Sequence, residues 1–132
     1  MNPTKSNQNA EVINQVPKGL AVNFNPAYLE SILLNLIFNS IRYSSPKRRP
    51  RVEISTTLHD EQVSLHIRDN GIGIDLDKYG DQLFGLYKTF TDHQDSKGIG
   101  LFISKNQVNA MGGKVTVQSK VDEGTTFTIL FR

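Results

Sequence analysis

The sequence predicts an α+β domain of two layers, with a mixed or antiparallel sheet covered on one face by helices. Three observations predict it. Residues 52–59 with 62–69, and 114–121 with 125–131, alternate apolar and polar side chains with period two and are joined by short turn signals. A long apolar helix and a second helix, closed by Gly112-Gly113, account for the other ordered stretches. Hairpins and helices are grouped rather than alternating strand by helix, as a doubly wound parallel sheet would demand.

Composition bounds the function before any motif is read. At 132 residues and 37% apolar, the chain is one globular domain with room for a core. A formal net charge of +2 is too small to imply nucleic acid or an acidic membrane as partner. No cysteine is present, which excludes disulfides and thiolate metal sites. His59, His66 and His93 do not pair at metal-ligand spacing. No apolar run reaches bilayer-crossing length and the N-terminus lacks a secretory pattern, so a cytoplasmic domain is expected, with a membrane-anchored parent protein still compatible.

In chain order, residues 1–8 are polar and linker-like. The alternation at 11–16 predicts an edge strand, so residues 1–17 are taken as linker plus edge strand and 18–132 as the domain. Pro17-Lys18-Gly19 marks a turn, and 20–24 predicts another short strand. NPAYLESILLNLIFNSIRY at 25–43 is the long helix, with Asn25 as N-cap and Pro26 at its first position. Leu29, Ile32, Leu33, Leu34, Leu36, Ile37, Phe38 and Ile41 cover most of its circumference, which predicts burial nearly all round. Asn35, Asn39, Arg42 and Tyr43 form one polar stripe along it, either satisfied within the protein or facing a ligand.

Ser44-Ser45-Pro46 ends the helix, and the basic run at 47–51 reads as a solvated loop rather than a docking patch. The first hairpin turns at Asp60-Glu61 and runs directly into Asn70-Gly71-Ile72-Gly73-Ile74. Residues 76–91 carry apolar and aromatic groups without clean periodicity, and 91–97 is a polar loop. Gly98-Ile99-Gly100 opens the second helix, expected over 101–111, and Asp122-Glu123-Gly124 turns the last hairpin.

Three features carry chemistry. The amide stripe offers oxygens suited to Mg²⁺, with Arg42 as a charge for phosphate and Tyr43 as a flat face for a base. Asp69-Asn70-Gly71-Ile72-Gly73 places a carboxylate at a strand end beside a tight turn, where it could accept from an exocyclic amine; an ordinary turn is the alternative. Ser96-Lys97-Gly98-Ile99-Gly100-Leu101 aims backbone N–H groups and a positive dipole end outward, which suits phosphate. Neither a P-loop nor a dinucleotide fingerprint is present.

Order and spacing are more specific than any one feature. NLIFNSIRYS at 35–44 resembles the N box of sensor histidine kinases, DNGIGI at 69–74 their G1 box, LFGLYKTF at 83–90 a variant F box, KGIGLFI at 97–103 their G2 box, and GTTFTILF at 124–131 their closing strand. Over about residues 20–131 the chain therefore resembles the ATP-binding catalytic domain of the GHKL superfamily. The resemblance implies a two-layer α/β sandwich with a mixed sheet, and ATP and Mg²⁺ as ligands. It implies that Asn39 ligates Mg²⁺ beside Asn35, that Arg42 takes the place of a phosphate-facing lysine, and that Tyr43 packs on adenine. Asp69 would recognise the adenine amine, Gly71, Gly73 and Ile74 would shape the base pocket, and Lys97, Gly98, Ile99, Gly100 and Leu101 would hold the phosphates beside a short lid at 88–97.

Departures are visible too. Arginine replaces lysine at Arg42, Ser96 stands where a further glycine is usual, and Gly85-Leu86 replaces polar residues of the F box. None of the three histidines has the context of a phosphoacceptor. The implied activity is thus a histidine kinase's catalytic part, excised from a larger sensor kinase. Its partners would be a histidine-bearing dimerisation domain of the same or a partner kinase and a downstream response regulator, with no nucleic acid and no direct membrane contact. An anti-sigma-type serine kinase, or a nucleotide-sensing module without phosphotransfer, are the alternatives.

Overall fold

A computed structural model describes residues 10–80 and 99–131. The element order is β1 (Glu11–Asn14), α1 (Pro26–Arg42), β2 (Arg51–His59), β3 (Gln62–Asp69), α2 (Leu76–Tyr79), α3 (Ile99–Ala110), β4 (Lys114–Lys120) and β5 (Gly124–Leu130). The strands form one sheet in the order β1-β2-β3-β5-β4. Only β1 runs parallel to its neighbour, Val12 opposite Val52, so the sheet is mixed; the other pairs are antiparallel. Among the described residues no helix is long and apolar enough to cross a membrane.

The hairpin register follows from the turn. Asp60 and Glu61 both take positive φ, 50° and 66°, the backbone twist that matches a two-residue hairpin. His59 is thereby set opposite Gln62 and Val52 opposite Asp69. Period two then sends Leu65, Ile67 and Asp69 to the helix-covered face and Ser64, His66 and Arg68 to the other. On β5 the same face carries Thr125, Phe127 and Ile129, all buried. The core joins these to Ile32 and Leu36 of α1 and Leu101 and Val108 of α3.

Asn25 caps α1, its Oδ1 accepting from Ala27 N at 2.9 Å and Tyr28 N at 3.1 Å, with Pro26 filling a position that needs no donor. Two expectations fail. Residues 20–24 form no strand; Val22 and Phe24 pack on the core instead, the Phe24 ring meeting Phe131 edge-on at 5.2 Å. Alternation reports one buried face, and an irregular segment laid over the core edge satisfies that as well as a ladder does. Nor is α1 buried all round: Leu34 is 47% and Phe38 62% exposed. With helices in a single layer, α1 has the sheet on one side and α3 beside it, which leaves a face to solvent.

Candidate functional site

Asp69 ends β3 on the helix-covered face, and the chain must then turn sharply across α1. Two glycines make that turn. A Cβ on Gly71 would strike the Tyr43 carbonyl, and Gly73 combines φ +78° with a close approach to the Lys120 carbonyl, so neither position accepts a side chain without moving backbone. The result is a small cleft lined by Asn39, Tyr43, Asp69, Gly73, Ile74, Thr125 and Phe127.

The Asp69 carboxylate is the charged group of this cleft. Its Oδ1 accepts from Gly71 N at 2.9 Å and Thr125 N at 3.1 Å, so both backbone donors fall on one oxygen. Burial dominates its titration and pushes its pKa above the ordinary carboxylate value; the Gly71 N–H, the Ser40 hydroxyl and the Thr125 N–H pull the other way. Ser40, itself buried, has one proton to give, and Leu36 O at 3.0 Å competes with the carboxylate for it.

A second network surrounds the Thr125 hydroxyl. Ser119 Oγ accepts from Ile74 N at 2.7 Å, donates to Gly124 O at 2.9 Å and lies 2.7 Å from Thr125 Oγ1. Placing its one proton on Gly124 O satisfies every group of this network, and Thr125 then donates to Ser119. That leaves lone pairs on Thr125 Oγ1. Beside the Asp69 carboxylate, the cleft thus offers acceptors, the complement of an exocyclic amine.

The stripe on α1 divides. Asn39 lines the cleft, and its side-chain amide makes no hydrogen bond among the described residues. Asn35 instead donates from Nδ2 to Ser104 Oγ at 3.2 Å, bracing α1 against α3, so one of the amides expected to need a ligand finds a partner within the protein. Tyr43 is 5% exposed and lines the cleft. Arg42 is exposed and is not among the lining residues.

Gly71, Gly73 and Ile74 lie on the loop that closes the cleft, Ile74 buried there. The backbone of Ile99 and Gly100 forms the first turn of α3, and Leu101 is buried in the core cluster. Lys97 and Gly98, with the lid at 88–97 and the F-box segment at 83–90, lie outside the described residues. Among the described residues no cluster of three histidines, cysteines or carboxylates exists to cage a metal.

Sequence reasoning missed Ser40, Ser119, Thr125 and Phe127 as members of this site. Thr125 and Phe127 carried a signal, alternate positions on one strand face, but their approach to Asp69 depends on β3 pairing with β5, Arg68 opposite Thr126, across more than 50 residues of chain.

Known proteins place this geometry in context. The "Signal transduction histidine-protein kinase ArlS" of Staphylococcus haemolyticus is 36% identical over 118 residues, covering 87% of this chain and 26% of that protein. The protein of the same name from Staphylococcus aureus (strain USA300) is 31% identical over 117 residues, 86% of this chain and 26% of that one. The chain therefore spans about a quarter of the length of these relatives. Among solved structures, the "Mycobacterial sensor histidine kinase MprB" superposes with a TM-score of 0.82 at 23% identity, covering 98% of this chain and 88% of that one. Full-length ShkA in complex with AMPPNP gives 0.76 at 24%, over 98% of this chain and 27% of that one. Residues 24–132 match the family described as histidine kinase-, DNA gyrase B-, and HSP90-like ATPase, and the chain belongs to that family.

Proposed function

We propose that residues 18–132 form the Mg·ATP-binding catalytic domain of a two-component sensor histidine kinase, with 1–17 as linker and edge strand. The observation that carries the reading is the Asp69 carboxylate, largely buried at the end of β3 and lining the cleft beside the Thr125 hydroxyl, an acceptor when its proton goes to Ser119. Such a wall selects a donor, and the 6-amino group of adenine is one. Tyr43, Ile74 and Phe127 supply apolar surface for the ring.

Asn39 supports the phosphate side. Its amide stands in the cleft without a partner among the described residues, and with no carboxylate cluster nearby the donor set suits Mg²⁺, which takes few protein oxygens and keeps phosphate and water oxygens. When bound, Mg²⁺ would neutralise phosphate charge. The protein's own work is positioning: Asp69 fixes the base, the Gly71–Gly73 turn lets it seat against backbone, and Asn39 anchors the phosphate end. The γ-phosphate would pass to a histidine on a dimerisation domain of the same or a partner kinase, and onward to a response regulator. The ArlS relatives, named as signal transduction histidine-protein kinases, and the AMPPNP complex of ShkA support this assignment.

Calorimetric titration with Mg·ATP tests the binding half. Saturable binding together with thermal stabilisation is expected; absence of both at millimolar nucleotide overturns it. Labelled γ-phosphate appearing on an added histidine-bearing dimerisation domain tests the transfer half, and no transfer from a chain that binds ATP would point to a sensing module.

A further inference from the structure

The basic loop at 47–51 does more than face solvent. Arg48, 31% exposed, donates from Nε to Asn70 O at 2.6 Å and from Nη2 to Gly71 O at 2.9 Å and Asp122 O at 2.7 Å. Three main-chain carbonyls from two loops therefore converge on one guanidinium, whose planar fork of donors suits that geometry in a way a lysine does not. Asn70 returns the grip, its Oδ1 accepting from Arg51 N at 2.9 Å and its Nδ2 donating to Arg49 O at 3.0 Å.

The far ends of those peptide planes lie in the site. A trans peptide points its C=O and N–H in opposite directions. The plane whose carbonyl is Asn70 O carries the Gly71 N–H, which donates to Asp69 Oδ1 at 2.9 Å. The next plane, whose carbonyl is Gly71 O, carries the Ile72 N–H, which donates to Tyr43 O at 2.9 Å. Asp122 belongs to the β4–β5 turn, is tied to the glycine loop through its own N–H to Ile72 O at 2.7 Å, and leads into Thr125. By holding two carbonyls outward, Arg48 aims two N–H groups inward, one at the Asp69 carboxylate and one at the main-chain carbonyl of Tyr43, a residue that lines the cleft.

We propose that Arg48 is a positioning residue for recognition of the base, acting through the orientation of the peptide planes at 70–72 and touching no ligand itself. The proposal rests on the nucleotide reading above.

The test separates base from phosphate. Mg·ATP, Mg·purine riboside triphosphate (no 6-amino group) and Mg·tripolyphosphate are titrated into the parent chain, Arg48→Ala, Arg48→Lys and Lys47→Ala, well below each variant's Tm. Among the described residues, the Lys47 side chain pairs with the exposed Asp122 carboxylate, at 3.1 Å, and Lys47 serves as the charge control. For Arg48→Ala, a loss of about tenfold in ATP affinity is expected, with tripolyphosphate within about twofold of the parent and the preference for ATP over the purine analogue reduced. Arg48→Lys should recover part of that preference, and Lys47→Ala should match the parent. Unchanged ATP affinity in Arg48→Ala, or equal losses for ATP and tripolyphosphate, overturns the proposal. If Arg48→Ala does not fold, Arg48→Lys decides alone: an undiminished preference for ATP over the purine analogue overturns it. A parent chain that binds no ATP sinks the nucleotide reading itself, whereas a parent that binds beside an unaffected Arg48→Ala sinks only the role of Arg48.

Discussion

Asp69→Asn separates the two demands the cleft makes on one carboxylate. The amide keeps an oxygen to accept from Gly71 N and Thr125 N, now 2.9 and 3.1 Å from Oδ1, so the turn should survive. What changes is charge. Burial raises the folded-state pKa of Asp69 above its ordinary 3.8, which means the folded protein binds the proton more tightly than the unfolded chain. The stability this provides is present in full below about pH 3.8 and is lost as pH rises through the folded-state pKa. A neutral asparagine never incurs that loss. The variant should therefore be more stable than the parent at pH 7, and the difference should shrink as pH falls toward 4, read by urea denaturation across the range. Nucleotide binding should move the opposite way. Losing a hydrogen bond to a charged acceptor costs about 1.5–3 kcal/mol, or about 10- to 150-fold in Kd, for ATP, and far less for purine riboside triphosphate, which lacks the amine. ATP bound by Asp69→Asn with the parent's affinity would refute the reasoning, whatever the stability curve did.

Three further outcomes are expected. Gly73→Ala places a Cβ at φ +78° against the Lys120 carbonyl and should cost about 2 kcal/mol or more, measured by denaturant midpoint; a variant as stable as the parent would mean that the turn relaxes freely. Ser119→Ala orphans the Ile74 N–H, now bonded at 2.7 Å, and frees the Thr125 proton to point into the cleft. It should lower stability by about 1–3 kcal/mol and narrow the preference for ATP over the purine analogue in the same titrations. Asn39→Ala removes a side chain with no hydrogen bond among the described residues, so stability should change by less than about 1 kcal/mol, while the gain in ATP affinity on adding Mg²⁺ should largely vanish. Retention of the full Mg²⁺ effect would remove Asn39 from the phosphate end.

Much of the fold was legible because its signals are local. Asn25-Pro26 announces the start of α1, period two announces both hairpins, and Asp60-Glu61 announces the two-residue turn that sets Val52 opposite Asp69. Segment 20–24 misled for the same reason, since alternation records a buried face and not a hydrogen-bonded neighbour. The exposure of Leu34 and Phe38 was equally hidden, because the composition of a helix does not say how many of its sides have neighbours.

By itself, then, the sequence determined the two-layer architecture, the Asp69–Gly73 turn and the family to which residues 24–132 belong. Tertiary structure decided what those residues do to one another. It gave Asn35 to Ser104 and left Asn39 in the cleft, though both sit on one stripe one turn apart. It brought Thr125 to Asp69 and turned Arg48 from a loop charge into a grip on three carbonyls. The reason is physical: periodicity and turn chemistry act over a few residues, whereas these pairings follow from strand order and register, which are set by packing the whole core at once.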